Sequence, residues 1–167
     1  MLNEFEKDII FKISNSLIYN SIVGLKYIMT SDTYENLQEF QDYRKKMNEI
    51  IHQNGNLVTK RFFNLDGKAY EPGVLDIKTK ELLGLVSSTV LRCDDCITYH
   101  IIRCVQEHVS KEEFFEAMNI ALIVGGSIVI PHFRRAVERF FECERLQQQG
   151  IDLDLASARD SVFDTEK

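Results

Sequence analysis

Apolar side chains recur along this chain mostly at intervals of three and four residues, and strictly alternating stretches are scarce. Such intervals place apolar groups on one face of an α-helix, whereas alternation would place them on one face of a β-strand. The chain contains only two prolines, Pro72 and Pro131, so few positions interrupt a helix. The pattern therefore predicts an all-α fold.

The apolar pattern divides into about six helices, and three of their starts have an identifiable cause. Asp76 can cap a helix after the Glu71-Pro72-Gly73 turn, and Pro131 suits a first turn, where its missing amide hydrogen costs little. Ser110 and Glu113 have the spacing of a capping box. We predict helices over 3–29, 32–53, 75–91, 94–108, 111–127 and 131–148.

Residues 54–73 fall between the second and third predicted helices, and we expect them to form a loop. This segment carries Phe62, Phe63 and Leu65, and burial of two phenylalanines stabilises a fold by a few kcal/mol. We therefore expect the loop to pack over the domain, either as a connector or as a lid over a functional site.

Length and composition favour one folded core. A chain of 167 residues with 44% hydrophobic content can bury roughly two-thirds of its unfolded surface. We assign residues 61–149 to this core and residues 1–60 to a helical extension packed on it. Residues 150–167 form a mainly acidic tail with few large apolar groups, which disfavours stable packing.

Charge and hydropathy exclude several partner classes. The formal net charge of -6 makes broad contact with nucleic acid or anionic lipid unfavourable. Charged residues throughout 1–15 interrupt any apolar leader, and the longest apolar run, 120–130, is shorter than the ~20 residues that cross a bilayer. We expect a cytoplasmic protein with no nucleic-acid or membrane partner, in which 120–130 is a buried helix or a subunit contact.

Two of the four cysteines, Cys93 and Cys96, lie three residues apart. In a reducing cytosol such a pair indicates redox chemistry or metal binding rather than a passive disulfide. Redox chemistry requires a thiolate and a second thiol that resolves the oxidised product. If a helix begins near Asp94, both sulfurs lie in its first turn, where unpaired amides and the helix dipole favour the thiolate. The charges of Asp94 and Asp95 would oppose this effect locally, but both residues also suit a helix start as caps, so the sequence leaves their net effect on the thiol pKa open.

A histidine has the helical spacing to act on these thiols, and a glutamate on the preceding predicted helix could assist it. His100 follows Cys96 by four residues and Cys93 by seven, so a helix places the three side chains on one face. An imidazole there can move a proton to or from a thiol near pH 7. Glu81, on the preceding predicted helix, could orient His100 and accept its proton.

This set of residues resembles the AhpD-like alkylhydroperoxidases of the carboxymuconolactone decarboxylase family. Those proteins carry a glutamate, a Cys-x-x-Cys pair twelve residues later and a histidine four residues after the second cysteine, as at Glu81, Cys93, Cys96 and His100. The likeness runs from about Gly73 to Glu142 and includes the Gly125-Gly126 pair. One position differs, since Asp95 lies where some members carry a further histidine.

The resemblance implies a helical AhpD-like core that assembles into trimers or hexamers and acts as a peroxidase. By analogy, Cys96 would attack the hydroperoxide, Cys93 would resolve the product as a disulfide, and Glu81 with His100 would move the proton. The implied partners are a small hydroperoxide substrate and a dithiol or protein reductant. We expect no cofactor and no metal in this mechanism. The decarboxylase branch lacks the paired cysteines, so the resemblance does not extend to lactone decarboxylation.

Other interpretations of the cysteine pair remain open. A tetrahedral zinc site could form from the two cysteines and His100 with one further ligand, namely Glu81, His108 or His132. Alternatively, the chain is a non-catalytic helical module in which residues 120–130 build an oligomer and the cysteines sense redox state. A third interpretation is a pair of inert core thiols.

The remaining cysteines and charged residues favour structural roles. Cys104 and Cys143 lie on amphipathic helices and are expected in the core. His108 and His132 are near predicted helix ends, which is typical of surface or capping residues. A basic stretch opposite several glutamates is typical of a solvated helix face; it consists of Arg134, Arg135 and Arg139.

Overall fold

A computed structural model describes residues 37–151 and 153 of the chain. Within these residues the secondary structure is entirely helical, which confirms the predicted all-α fold. The elements are α1 (Leu37–Asn54), α2 (Leu57–Ala69), α3 (Ile77–Leu91), α4 (Asp94–Gln106), α5 (Lys111–Gly125), a short 3-10 helix (Ser127–Val129) and α6 (Ile130–Gln148). The helix predicted at 3–29 and nearly all of the acidic tail lie outside the described residues.

The three predicted helix starts are confirmed. The Asp76 carboxylate accepts a hydrogen bond from the Thr79 amide at 2.8 Å, as an N-cap residue does. At the start of α5, the Ser110 hydroxyl accepts from the Glu113 amide at 3.2 Å, and the Glu113 carboxylate accepts from the Ser110 amide at 2.7 Å. Pro131 lies in the first turn of α6, where its missing donor is not needed.

The prediction that residues 54–73 form a loop is wrong, because α2 occupies Leu57–Ala69. The Asn56 side chain caps this helix by accepting a hydrogen bond from the Thr59 amide at 3.1 Å. An asparagine is a common N-cap residue, but the apolar pattern did not indicate a helix here. The expected packing over the domain is also wrong for Phe62, which is 68% exposed. No residue of α2 is buried. Phe62 and Leu65 are three positions apart, so they lie on the same face of the helix, and both are exposed.

Residues in the left-handed conformation follow the ends of α3 and α4, and the first of them sets how the chain enters the cysteine pair. Arg92 has a φ of 61°, and the Cys93 amide donates to the Ser88 carbonyl at 3.1 Å, closing α3 in a Schellman motif. Cys93 therefore follows α3 directly and begins α4. His108 has a φ of 56° and likewise follows the end of a helix in the left-handed conformation. The helix α4 therefore stops at Gln106 rather than at the predicted 108.

The break between α5 and α6 falls earlier than predicted because of Gly126. This residue has a φ of 72°, which glycine adopts at no steric cost, and α5 stops at Gly125 instead of continuing to 127. The 3-10 turn that follows leads into α6 at Ile130.

The core forms where α3 packs against α4 and α5, and where α4 packs against α6. Phe114 of α5 and Phe140 of α6 stack at its centre, with ring centroids 4.2 Å apart. Cys104 and Cys143 are fully buried, as predicted, and burial raises the pKa of both thiols well above the ordinary range. These two cysteines are therefore structural and unreactive.

The apolar run at 120–130 is only partly buried. Ala121 and Val129 are in the core, whereas Ile123 is 85% exposed. Ile120, Val124 and Ile128 are exposed as well. The run therefore presents an apolar surface, which we call the α5 surface, and the interpretation as a buried helix is wrong for these residues. Among the described helices, none has the length and apolarity needed to cross a membrane.

The chain divides into two compact units, Met1–Arg44 and Lys45–Lys167. The described part of the first unit is the beginning of α1, residues 37–44. The second unit contains the rest of α1 and all of α2 to α6, including every residue of the predicted site. The predicted division at residues 60 and 149 remains a prediction.

Candidate redox site

The two motif cysteines lie at the start of α4 and are joined as a disulfide, with their Cα atoms 5.3 Å apart. Cys93 is the N-cap residue, and its sulfur accepts a hydrogen bond from the Cys96 amide at 3.4 Å. Cys96 is exposed and Cys93 is half-buried. The first-turn amides and the positive end of the helix dipole therefore face sulfur atoms that solvent and small reactants can reach.

His100 lies one turn after Cys96 on α4 and is held by Glu81 of α3. The His100 Nδ1 and Glu81 Oε2 atoms are 2.7 Å apart, and both side chains are buried. Because a carboxylate can only accept, Nδ1 carries the proton of the neutral imidazole and Nε2 is its basic nitrogen. The structure thus brings together the glutamate and the histidine that the sequence places nineteen positions apart.

Arg103 also contacts Glu81, and sequence reasoning missed it. Its Nε donates to Glu81 Oε1 at 3.3 Å, while its guanidinium also contacts Gln106 and Glu107. Glu81 is fully buried, and a buried carboxylate stays ionised only when charge and hydrogen bonds compensate its lost hydration. The contacts with Arg103 and His100 hold the Glu81 side chain in place, and Glu81 in turn orients the imidazole of His100. The signal was available, since Arg103 follows His100 by three residues and so shares its helix face.

The opposite edge of the imidazole contacts Tyr70 and Gly84, which sequence reasoning also missed. The Tyr70 hydroxyl lies 3.4 Å from His100 Nε2, and the two rings are tilted with centroids 5.3 Å apart. A Cβ atom at position 84 would lie 2.7 Å from both His100 Nε2 and the Tyr70 hydroxyl. A glycine is therefore required at this position for the two rings to approach the α3 backbone.

A second carboxylate and imidazole pair lies at the start of α4. Asp94 accepts from His132 Nδ1 at 2.8 Å and from Arg135 Nη2 at 2.8 Å, which links α4 to α6. Burial alone would raise the pKa of Asp94, but the hydrogen bonds from Arg135 and His132 outweigh burial and hold this pKa below its ordinary value. The sequence favours a surface or capping role for His132 and a solvated helix face for Arg135; both side chains are partly exposed and pair with Asp94.

The predicted zinc ligands are not assembled in the part of the chain that the structure describes. Among those residues, no three His, Cys, Asp or Glu side chains are grouped so as to hold a metal ion. His132 is engaged with Asp94, and His108 lies on an exposed left-handed turn. The geometry is that of a disulfide-bonded cysteine pair one helical turn from an oriented imidazole.

Comparison with known proteins identifies one family. The model of the carboxymuconolactone decarboxylase family matches residues 56–139. A Thermotoga maritima member of that family, with a possible involvement in antioxidative response, has a crystal structure that is 59% identical in sequence. The match covers 70% of this chain and 98% of that chain, with a TM-score of 0.67.

Two more distant proteins are also similar to this chain. A family member from Legionella pneumophila is 23% identical, and its crystal structure matches over 66% of this chain and 99% of its own with a TM-score of 0.61, which shows the shared fold. A curated but uncharacterised protein of Cupriavidus necator is 25% identical over 91 residues, or 51% of this chain and 80% of its own length.

Proposed function

The chain belongs to the carboxymuconolactone decarboxylase family, and from this premise we propose that it is an AhpD-like thiol peroxidase. The membership confirms the resemblance that the cysteine motif indicated. The observation that carries the proposal is the Cys93 and Cys96 pair, in which Cys96 is exposed and lies one helical turn from a histidine that a buried Glu81 orients. The possible antioxidative involvement of the Thermotoga relative supports the same activity.

The first half-reaction is the attack of Cys96 on the hydroperoxide. His100 Nε2 removes the thiol proton, and the first turn of α4 stabilises the thiolate. The sulfur lone pair forms a bond to the terminal peroxide oxygen as the O–O bond breaks. The leaving alkoxide takes the proton held by the imidazolium and departs as an alcohol, which leaves Cys96 as a sulfenic acid.

The second half-reaction forms the disulfide. Cys93 as a thiolate attacks the Cys96 sulfur, the S–S bond forms, and the hydroxyl group leaves as water after it takes one proton. Two thiols are thereby oxidised while one hydroperoxide is reduced to alcohol and water. A dithiol or protein reductant then reopens the disulfide by two exchange steps, each beginning with thiolate attack on sulfur. The exposure of Cys96 gives such a reductant access to the bond.

We also propose that the protein is a cytoplasmic homo-oligomer, a trimer or a hexamer. The support is the α5 surface, on which Ile120, Ile123 and Val124 share one helix face by their spacing. Monomeric proteins rarely expose large contiguous apolar patches, because burial of such side chains stabilises an interface. The apolar surface is the feature that a second subunit would cover.

Peroxide turnover with a dithiol reductant tests the activity. We expect Cys96→Ser to abolish turnover. Without reductant, Cys93→Ser should consume one equivalent of peroxide and accumulate a sulfenic acid that a dimedone-type reagent traps, because no second thiol resolves it. Cys104→Ala is the matched control, because it removes a buried thiol from the same helix. A Cys96→Ser protein that turns over at the parental rate would contradict the mechanism. A dithiol that closes with peroxide but is not turned over would favour the redox-sensing alternative.

A further inference from the structure

The imidazole of His100 has only one nitrogen that can exchange a proton with a substrate. Nδ1 is held at 2.7 Å by Glu81, which a second bond from Arg103 keeps in place. Proton transfer must therefore pass through Nε2, and the Tyr70 hydroxyl lies 3.4 Å from that atom. This distance is long for a hydrogen bond, but catalytic hydrogen bonds often shorten only when substrate closes the site.

The position of Tyr70 is fixed by the same helix that fixes His100. Tyr70 is the C-cap residue of α2. Lys80 of α3 donates from Nζ to the Ala69 carbonyl at 2.8 Å and to the Glu71 carbonyl at 2.6 Å. These carbonyls belong to the residues on either side of Tyr70, so Lys80 holds the backbone that carries the phenol.

Three nearby residues of α3 therefore position the phenol of Tyr70 and the imidazole of His100. Lys80 holds the Tyr70 backbone, Glu81 holds His100 Nδ1, and Gly84 leaves the space in which the phenol and the imidazole meet. A side chain at position 84 would enter between both rings and the helix, since its Cβ would be 2.7 Å from each polar atom. If the Tyr70 and His100 rings only packed together as apolar groups, the Tyr70 hydroxyl would not need to lie next to His100 Nε2.

We propose that Tyr70 is the terminal member of the Glu81–His100 relay and delivers the proton to the leaving oxygen of the hydroperoxide. This inference rests on the proposed peroxidase function. A phenol can donate and accept at the same time. As the O–O bonding electrons move onto the alkoxide oxygen, the Tyr70 hydroxyl gives that oxygen its proton and takes the Nε2 proton of the imidazolium. The net result is one proton moved from the Cys96 thiol to the alcohol, with both Tyr70 and His100 restored.

The leaving group supplies a test that packing alone would not satisfy. An alkoxide is a strong base and needs a proton to depart, whereas the carboxylate released from a peracid leaves without one. We expect Tyr70→Phe to slow oxidation of the dithiol form by cumene hydroperoxide at least about tenfold, since general acid catalysis typically contributes 10²–10⁴-fold. Oxidation by peracetic acid should stay within about twofold of the parent.

Tyr99→Phe is the matched control. The Tyr99 ring also packs against His100, edge to face with centroids 5.3 Å apart, so this variant loses the hydroxyl of a second ring that contacts the same imidazole. Its rates with both oxidants should equal those of the parent. Nitrogen NMR of His100 in the disulfide form gives a readout without turnover: Tyr70→Phe should shift the Nε2 signal and leave the Nδ1 signal in place.

The outcomes separate the relay from the peroxidase proposal. A parent protein that reacts with no hydroperoxide overturns both. An active parent with equal loss of rate toward both oxidants in Tyr70→Phe, or with no loss, overturns the relay alone. An unchanged Nε2 signal in Tyr70→Phe does so too. A loss confined to cumene hydroperoxide, together with the Nε2 shift, establishes Tyr70 as the proton donor.

Discussion

A single methyl group at position 84 should separate the activity of this protein from its stability. Gly84→Ala places a Cβ atom 2.7 Å from His100 Nε2 and from the Tyr70 hydroxyl. Ordinary van der Waals contact begins at 3.4 Å, so the phenol must retreat by roughly 0.7 Å. The imidazole must retreat further, because its Cε1 atom would lie closer to the new Cβ than its Nε2 does. His100 has little freedom to do so, because its Nδ1 is bonded to Glu81 at 2.7 Å.

The two effects have different magnitudes. Overpacking a core site typically costs about 1–3 kcal/mol, and replacing a helical glycine by alanine returns about 1 kcal/mol, so the net loss of stability is about 0–2 kcal/mol. A displacement near 1 Å of a catalytic group can cost about 10²-fold in rate. We therefore expect a roughly 10- to 100-fold loss of peroxide turnover in a protein that remains folded.

Gly67→Ala provides the matched control within α2. A Cβ atom at position 67 meets nothing within 4 Å, so only the helix propensity changes. This variant should gain about 0.5–1 kcal/mol in unfolding free energy and keep the parental turnover. Urea denaturation measures the stability of each variant, and single-turnover oxidation by cumene hydroperoxide measures the rate.

The steric argument fails if Gly84→Ala oxidises at the parental rate with unchanged His100 nitrogen signals. It fails as well if the loss of rate equals the unfolded fraction, since instability alone would then explain it. A folded Gly84→Ala protein with parental thiol content and a displaced Nδ1 signal is the outcome that the contact distances require.

Two further predictions concern the start of α4 and the α5 surface. Asp94→Asn should destabilise the protein at pH 7, because the pKa of Asp94 is lowered on folding; that contribution is present above the unfolded pKa of about 3.9 and is lost as pH falls through the folded value. Urea unfolding at two pH values checks it, and a deficit that is as large at pH 2 as at pH 7 contradicts it. Ile123→Glu should shift the oligomer toward single subunits in light scattering. Ile123 is 85% exposed in one chain, so a second subunit that covers it would have to bury the new charge. An unchanged mass at low micromolar concentration would exclude the α5 surface as an interface.

The local features of this fold follow from short-range sequence signals. Asp76, Ser110 and Pro131 mark helix starts through contacts with residues at most a few positions away, so periodicity and capping rules identify them. The pair of Glu81 and His100 was also accessible, since the resemblance to the family motif singles out Glu81, and helical spacing from the cysteines singles out His100. Residues 54–73, which were predicted to be a loop, show the limit of such rules. They contain α2, which has no buried residue, so no apolar periodicity marks it as a helix.

The unpredicted parts of the site depend on contacts between distant positions. Tyr70 meets His100 across thirty positions, and His132 meets Asp94 across thirty-eight. Nothing in the local pattern of either residue marks its partner, because the contact is set by how the helices pack. Gly84 illustrates the same point, since its requirement arises from two side chains that other segments bring to the α3 backbone.

The arrangement of charge at the start of α4 also resolves a conflict within the motif. Asp94 and Asp95 lie between the cysteines, where two anions would oppose a thiolate that the helix dipole favours. Arg135 donates to both oxygens of Asp94, so one of these charges is compensated by a guanidinium from α6. Asp95 is exposed, and solvent screens its charge. The positive end of α4 therefore keeps its effect on Cys93 and Cys96, while His100 and Glu81 handle the proton one turn further along.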